Sequence, residues 1–89
     1  MTDAAFEMRV TRLAQQLLER CQSEGWRVAG DGSVSECVAG MILGYTNGET
    51  LADQVREHGG FVPYWRRGNR RMYRLTDLAR HIEENFTRT

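Results

Sequence analysis

Eighty-nine residues, 40% of them hydrophobic and 27% charged, can build one modest core but no deep cleft between two lobes. Twelve arginines balance twelve acids, so a net charge of zero excludes a whole-protein field that steers the chain to a polyanion. No apolar run approaches the roughly 18–20 residues of a membrane helix, and the polar N-terminus has no signal-peptide core. A cytoplasmic protein with no membrane partner is expected, with Cys21 and Cys37 as reduced thiols.

The first predicted element is an amphipathic helix over residues 3–24. Phe6, Val10, Leu13, Leu17 and Cys21 recur at three- and four-residue steps, and Ala14 and Leu18 widen the stripe. Thr2 or Asp3 can cap its start, and Gly25 suits its end. This helix either packs on the core or supplies a dimer surface. Trp26-Arg27-Val28 is a candidate short extended segment, and the glycines of Ala29-Gly30-Asp31-Gly32 make a loop. Ser33-x-x-Glu36 reads as a capping box that opens a second helix, with Val34, Cys37, Val38, Met41 and Ile42 inward and Gly44 at its end. A second box, Thr46-x-x-Glu49, opens a third helix through about His58. Leu51, Ala52 and Val55 face inward there, and Gly59 is the stop. Two short helices joined around Gly44-Tyr45-Thr46 make residues 33–58 a helix-turn-helix.

Residues 61–75 read as a β-hairpin. Phe61-Val62-Pro63-Tyr64-Trp65 is aromatic and β-branched, with Pro63 placing it at an edge, and Met72-Tyr73-Arg74-Leu75 is its partner. Gly68-Asn69 fits a two-residue turn with glycine first. That turn sets Arg67 opposite Arg70, Arg66 opposite Arg71, Trp65 opposite Met72 and Tyr64 opposite Tyr73. Val62, Tyr64, Tyr73 and Leu75 then share the core face. Thr76-Asp77 caps a closing helix over residues 76–87, whose stripe is Leu78, Ala79, Ile82 and Phe86. The chain is thus expected to be one α+β domain, residues 1–89: a winged helix-turn-helix, with a helical core and a two-stranded hairpin wing.

Charge is segregated along this order. Residues 59–75 carry five arginines and no acid, a charge of +5; residues 33–58 carry four acids against Arg56 alone, a charge of −3. The complete absence of lysine reads as coding bias rather than function. Paired arginines at a hairpin tip repel one another, and a phosphate between them relieves the repulsion. Arginine also suits a narrow minor groove, and Trp65 and Met72 beside the arginines offer a platform for a base or sugar. The plainer role for the same charges is to keep a strand edge soluble.

The run Val34 to Glu84 resembles the winged-helix domains of the excisionase and MerR families. Ser33 to Gly44 is similar to the first helix of their helix-turn-helix, and Thr50-Leu51 to the start of their recognition helix. Arg67-Gly68-Asn69-Arg70-Arg71-Met72-Tyr73-Arg74-Leu75-Thr76-Asp77-Leu78 resembles their wing and the helix that follows it. Residues 1–32 lie outside the likeness. It implies sequence-directed binding of double-stranded DNA, in phage or plasmid recombination or in transcription control. The DNA-binding candidates are Arg66, Arg67, Arg70, Arg71 and Arg74 on the wing, with Thr46, Asn47, Thr50 and Gln54 at the head of the third helix.

The third helix departs from that family's pattern. Asp53 lies at the centre of its outer face, flanked by Glu49 and Glu57, and a groove lined by phosphates repels such a stripe. Three readings stay open. The helix can sit shallowly while the wing makes the contact, or pair with the wing of a second molecule along DNA. Alternatively, the scaffold is a phage-type protein-interaction module or inhibitor that uses Glu49, Asp53 and Glu57. Cys21, Cys37, His58 and His81 lack metal-ligand spacing, and no phosphate loop, dinucleotide fingerprint or nucleophile elbow is present. No enzyme activity, metal or cofactor is expected.

Overall fold

The computed structural model describes residues 3–86. Within them the chain runs α1 (Ala4–Glu24), β1 (Ser33–Ser35), α2 (Glu36–Ile42), α3 (Glu49–His58), β2 (Trp65–Arg67), β3 (Arg70–Arg74) and α4 (Leu75–Glu84). The three strands form one antiparallel sheet in the order β1-β3-β2, so this is a small α+β fold. Among the described residues no helix is long and apolar enough to cross a membrane.

Helix α1 matches its predicted span. The Asp3 carboxylate accepts the Ala5 N–H at 3.1 Å, and Gly25 takes a left-handed φ of 74° that closes the last turn. The alternative cap, Thr2, lies outside the described residues. The apolar stripe of α1 packs along α4, with Val10 and Cys21 buried. Charge reinforces this seam: both guanidinium nitrogens of Arg80 donate to Glu7, at 2.6 and 2.8 Å, and Arg9 donates to Glu83 at 3.2 Å. The Arg80 hydrogen bond holds the Glu7 carboxyl below its ordinary pKa.

The predicted capping box at Ser33 does not form. Ser33-Val34-Ser35 is a strand paired to β3, with Ser33 opposite Arg74 and Ser35 opposite Met72. The cap of α2 is Ser35, two residues later, whose hydroxyl accepts the Val38 N–H at 3.2 Å. Starting the helix later turns its faces: Val38 and Ala39 are buried, whereas Cys37, placed in the core by the sequence reading, is exposed. The expected extended segment at 26–28 is not a strand; Ala29 donates to the Ser33 carbonyl as the chain turns back.

Residues 43–48 link α2 to α3, a longer connection than the sequence suggested. Thr46 does not cap α3. Asn47 does so locally, its Oδ1 accepting the Glu49 N–H at 2.8 Å, and Gly48 occupies the cap position itself. The two segments approach to backbone contact. A Cβ on Gly40 would overlap the Asn47 carbonyl, and one on Gly48 would stand 2.8 Å from the Glu36 carbonyl. Leu51 is the buried anchor of α3, and Gly59, at φ 78°, ends it as predicted.

The hairpin is shorter than predicted. Phe61 to Tyr64 is not a strand: the residue due opposite Val62 is Leu75, which already belongs to α4, so the ladder stops at Trp65. Val62, Tyr73 and Leu75 are buried as expected, but Tyr64 and Phe61 are exposed. Met72 is buried too, on the central strand between β1 and β2. Helix α4 begins at Leu75 without a side-chain cap, so Thr76 and Asp77 lie inside its first turn. Phe86 is exposed rather than core, and residue 87 lies outside the described residues. The core gathers Cys21, Val34, Val38, Ala39, Leu51, Val62, Tyr73, Leu75 and Leu78 from all four helices, the sheet and the segment before it.

Candidate functional site

Gly68, at φ 63°, makes the turn between β2 and β3. The register is the predicted one: Arg67 opposite Arg70, Arg66 opposite Arg71 and Trp65 opposite Met72. Directly opposed residues share a face and successive residues alternate. The pleat therefore divides the arginines. Arg67, Arg70 and Arg74 lie on one face with Trp65, Met72, Ser33 and Ser35; Arg66 and Arg71 lie on the other with Tyr73 and Val34.

On the second face Arg71 is occupied. Its Nε donates to Glu36 Oε2 at 2.7 Å, and the Tyr73 hydroxyl donates to the same oxygen at 3.1 Å. Both charged side chains are largely buried, Arg71 at 17% and Glu36 at 22% exposure. The Glu36 hydrogen bond raises the Arg71 pKa, while burial, backed by the Glu36 charge, raises that of Tyr73. Arg71 also lies 5.9 Å from the centre of the Tyr64 ring. The sequence reading assigned Arg71 to DNA, but in the fold it ties β3 to the start of α2.

On the first face Arg74 is paired, with its Nε 3.6 Å from Asp31. Asp31 also accepts the Ser33 hydroxyl at 2.8 Å and the Ser33 N–H at 3.0 Å. The Ser33 hydroxyl in turn accepts the Trp65 indole N–H at 2.8 Å. This chain satisfies the fully buried Ser33 and holds the Asp31 carboxyl below its ordinary pKa, chiefly through the Ser33 hydroxyl. It also fixes the Trp65 indole edge. Of the two residues of the predicted platform for a base, Met72 is buried and Trp65 is half-buried.

Three hairpin arginines remain. Arg66, Arg67 and Arg70 are exposed, and among the described residues none has an acidic partner. They flank the turn and stand at the end of the sheet farthest from α4.

The remaining predicted residues lie on or just before α3. Thr46, Asn47 and Thr50 are exposed and Gln54 is half-buried, with the Asn47 carbonyl oxygen already used on Glu49 N–H. Glu49, Asp53 and Glu57 are all exposed, as the helical wheel predicts. Glu57 lies 3.8 Å from His58, and Asp53 is paired with Arg56, which neutralises that part of the acidic stripe from its own helix. Sequence reasoning missed Glu36, Asp31 and Ser33 as the groups that hold the hairpin. Comparisons of this chain with protein families, with curated proteins and with solved structures found no match.

Proposed function

We propose that this protein is a winged helix-turn-helix that binds double-stranded DNA, a small regulator or architectural, excisionase-like factor. The β2–β3 hairpin is its wing, and Arg66, Arg67 and Arg70 are its phosphate and minor-groove contacts. The observation that carries this reading is the division of the five hairpin arginines. Arg71 and Arg74 are held by Glu36 and Asp31, while the three around the turn are exposed without an acidic partner among the described residues. Arg67 and Arg70 oppose each other directly, a like-charge arrangement disfavoured by some tenths of a kcal/mol that an anion relieves. The likeness of Arg67–Leu78 to excisionase and MerR wings points the same way. Helix α3 contributes little, because Glu49, Asp53 and Glu57 line its open side. It sits shallowly while the wing grips the backbone. A gel-shift titration on duplex DNA at two salt concentrations tests the proposal. Binding that weakens with salt and disappears when Arg66, Arg67 and Arg70 become alanine supports it; no binding at low salt ends it.

The exposure of all three α3 acids favours a second reading, a protein-interaction surface on that helix. Changing Glu49, Asp53 and Glu57 to glutamine separates the two. DNA affinity holds or improves under the first reading, whereas the second predicts loss of a captured basic partner and no DNA binding to begin with.

A further inference from the structure

The open side of the hairpin's first face is not flat. Arg27, from the segment after α1, reaches the same partly enclosed cleft as Arg67 and Arg70, with Ser35, Ala29 and Met72 completing its walls. All three arginines are exposed and have no acidic partner among the described residues. Arginines from two separate segments thus line one cleft of about 90 Å³, room for a tetrahedral oxyanion. Arg27 lies outside the stretch that resembles the wing, and the fold alone brings it there. The segment is held in place by backbone bonds: Ala29 donates to the Ser33 carbonyl at 2.8 Å, and Leu75 donates to the Gly32 carbonyl at 2.9 Å.

We infer that Arg27, Arg67 and Arg70 form a clamp for a single phosphate group, set between the 26–29 segment and the wing. This deepens the DNA-binding reading, because a backbone phosphodiester is one source of that group; a free phosphorylated ligand is the other. Arg27 adds a contact from outside the hairpin, so the phosphate is held from both sides and its position on the sheet is fixed. Arginine suits this task because its planar fork engages two oxygens of one phosphate, which lysine cannot do.

The test uses the full chain, with Arg27→Ala, Arg27→Lys and, as another exposed arginine, this one on α1, Arg12→Ala. Arg27 sits on an exposed connection, so thermal unfolding should be unchanged in all three. Two probes are applied: a short labelled duplex over a range of salt, and inorganic pyrophosphate followed by amide chemical shifts. If the clamp holds a backbone phosphate, Arg27→Ala weakens duplex binding about tenfold. It also reduces the salt slope by about 0.9, the value of one lost phosphate. Arg27→Lys recovers the slope but not the affinity, and Arg12→Ala changes neither. Duplex binding that is unaffected by Arg27→Ala overturns the clamp and leaves the wing reading standing. Pyrophosphate shifts at Ser35, Arg67 and Arg70 that vanish with Arg27→Ala, in a chain that binds no duplex, keep the clamp and overturn DNA binding. Binding of neither probe removes both.

Discussion

At the scale of single residues, five neighbouring arginines fall into two groups, two paired with acids and three exposed. Arg71 shares one carboxylate oxygen of Glu36 with the Tyr73 hydroxyl in a largely buried setting, so removing it leaves the Glu36 charge with the Tyr73 hydroxyl alone in that group. Arg71→Ala should cost about 1–2 kcal/mol, between the values for exposed and buried pairs, and lower Tm by several degrees. Arg66→Ala, one cross-strand position away, should leave Tm unchanged and weaken DNA binding. Thermal melts beside anisotropy titrations of the two variants check this contrast; equal Tm losses would contradict it. The cysteines divide in the same manner. Cys21 is fully buried and burial raises its thiol pKa, while Cys37 is exposed. Iodoacetamide should therefore modify one thiol, Cys37, in the native protein and the second only after denaturation, as mass spectrometry would show. The sequence placed Cys37 inside because its spacing was counted from Ser33. The residue that caps α2 is Ser35, and both serines look alike to a local rule. Glu36 was visible only as a capping residue, since its true partner lies 35 positions away.

At the scale of elements, long periodic patterns were readable and short ones were not. Helix α1 and the C-terminal end of α3 follow from stripes, a capping aspartate and left-handed glycines. The hairpin register follows from Gly68-Asn69 alone. Strand β1 was missed because three residues are too few to display alternation, and they form a strand only because β3 offers an open edge. The backbone contact at Gly40 gives a direct test of the α2–α3 junction. Gly40→Ala drives a methyl group into the Asn47 carbonyl, so urea unfolding should show a loss of about 1–3 kcal/mol or more, despite alanine's better helix propensity. The α1–α4 seam and the start of β1 each have an acid-sensitive contact. Glu7, held by Arg80, and Asp31, held by Ser33, both titrate below their ordinary values of 4.5 and 3.8 in the folded chain. A depressed folded pKa gives stability that is present above the unfolded value and is lost as pH falls through the folded one. The urea midpoint should hold from neutrality to just above 4.5 and then decline. A midpoint that rises on acidification would contradict the Glu7–Arg80 and Asp31–Ser33 contacts.

At the scale of the whole molecule, a net charge of zero conceals a polar arrangement: a cationic hairpin end and an acidic outer face on α3. The sequence reveals this segregation by counting, yet counting cannot tell a free arginine from a held one. That distinction depends on Asp31 and Glu36, which the fold carries to the hairpin from elsewhere in the chain. The division predicts how DNA binding responds to salt, since each neutralised phosphate contributes a slope of about −0.9 in log affinity against log salt. The most direct measurement is that slope for the native chain and for two variants, one lacking Arg66, Arg67 and Arg70 and one lacking Arg71 and Arg74. A native slope of about −1.8 is expected, from one phosphate at Arg66 and one in the clamp, nearly abolished in the first variant at unchanged Tm and largely kept in the second at a lowered Tm. Equal loss of slope in both variants, or a native chain whose binding ignores salt, would contradict that division.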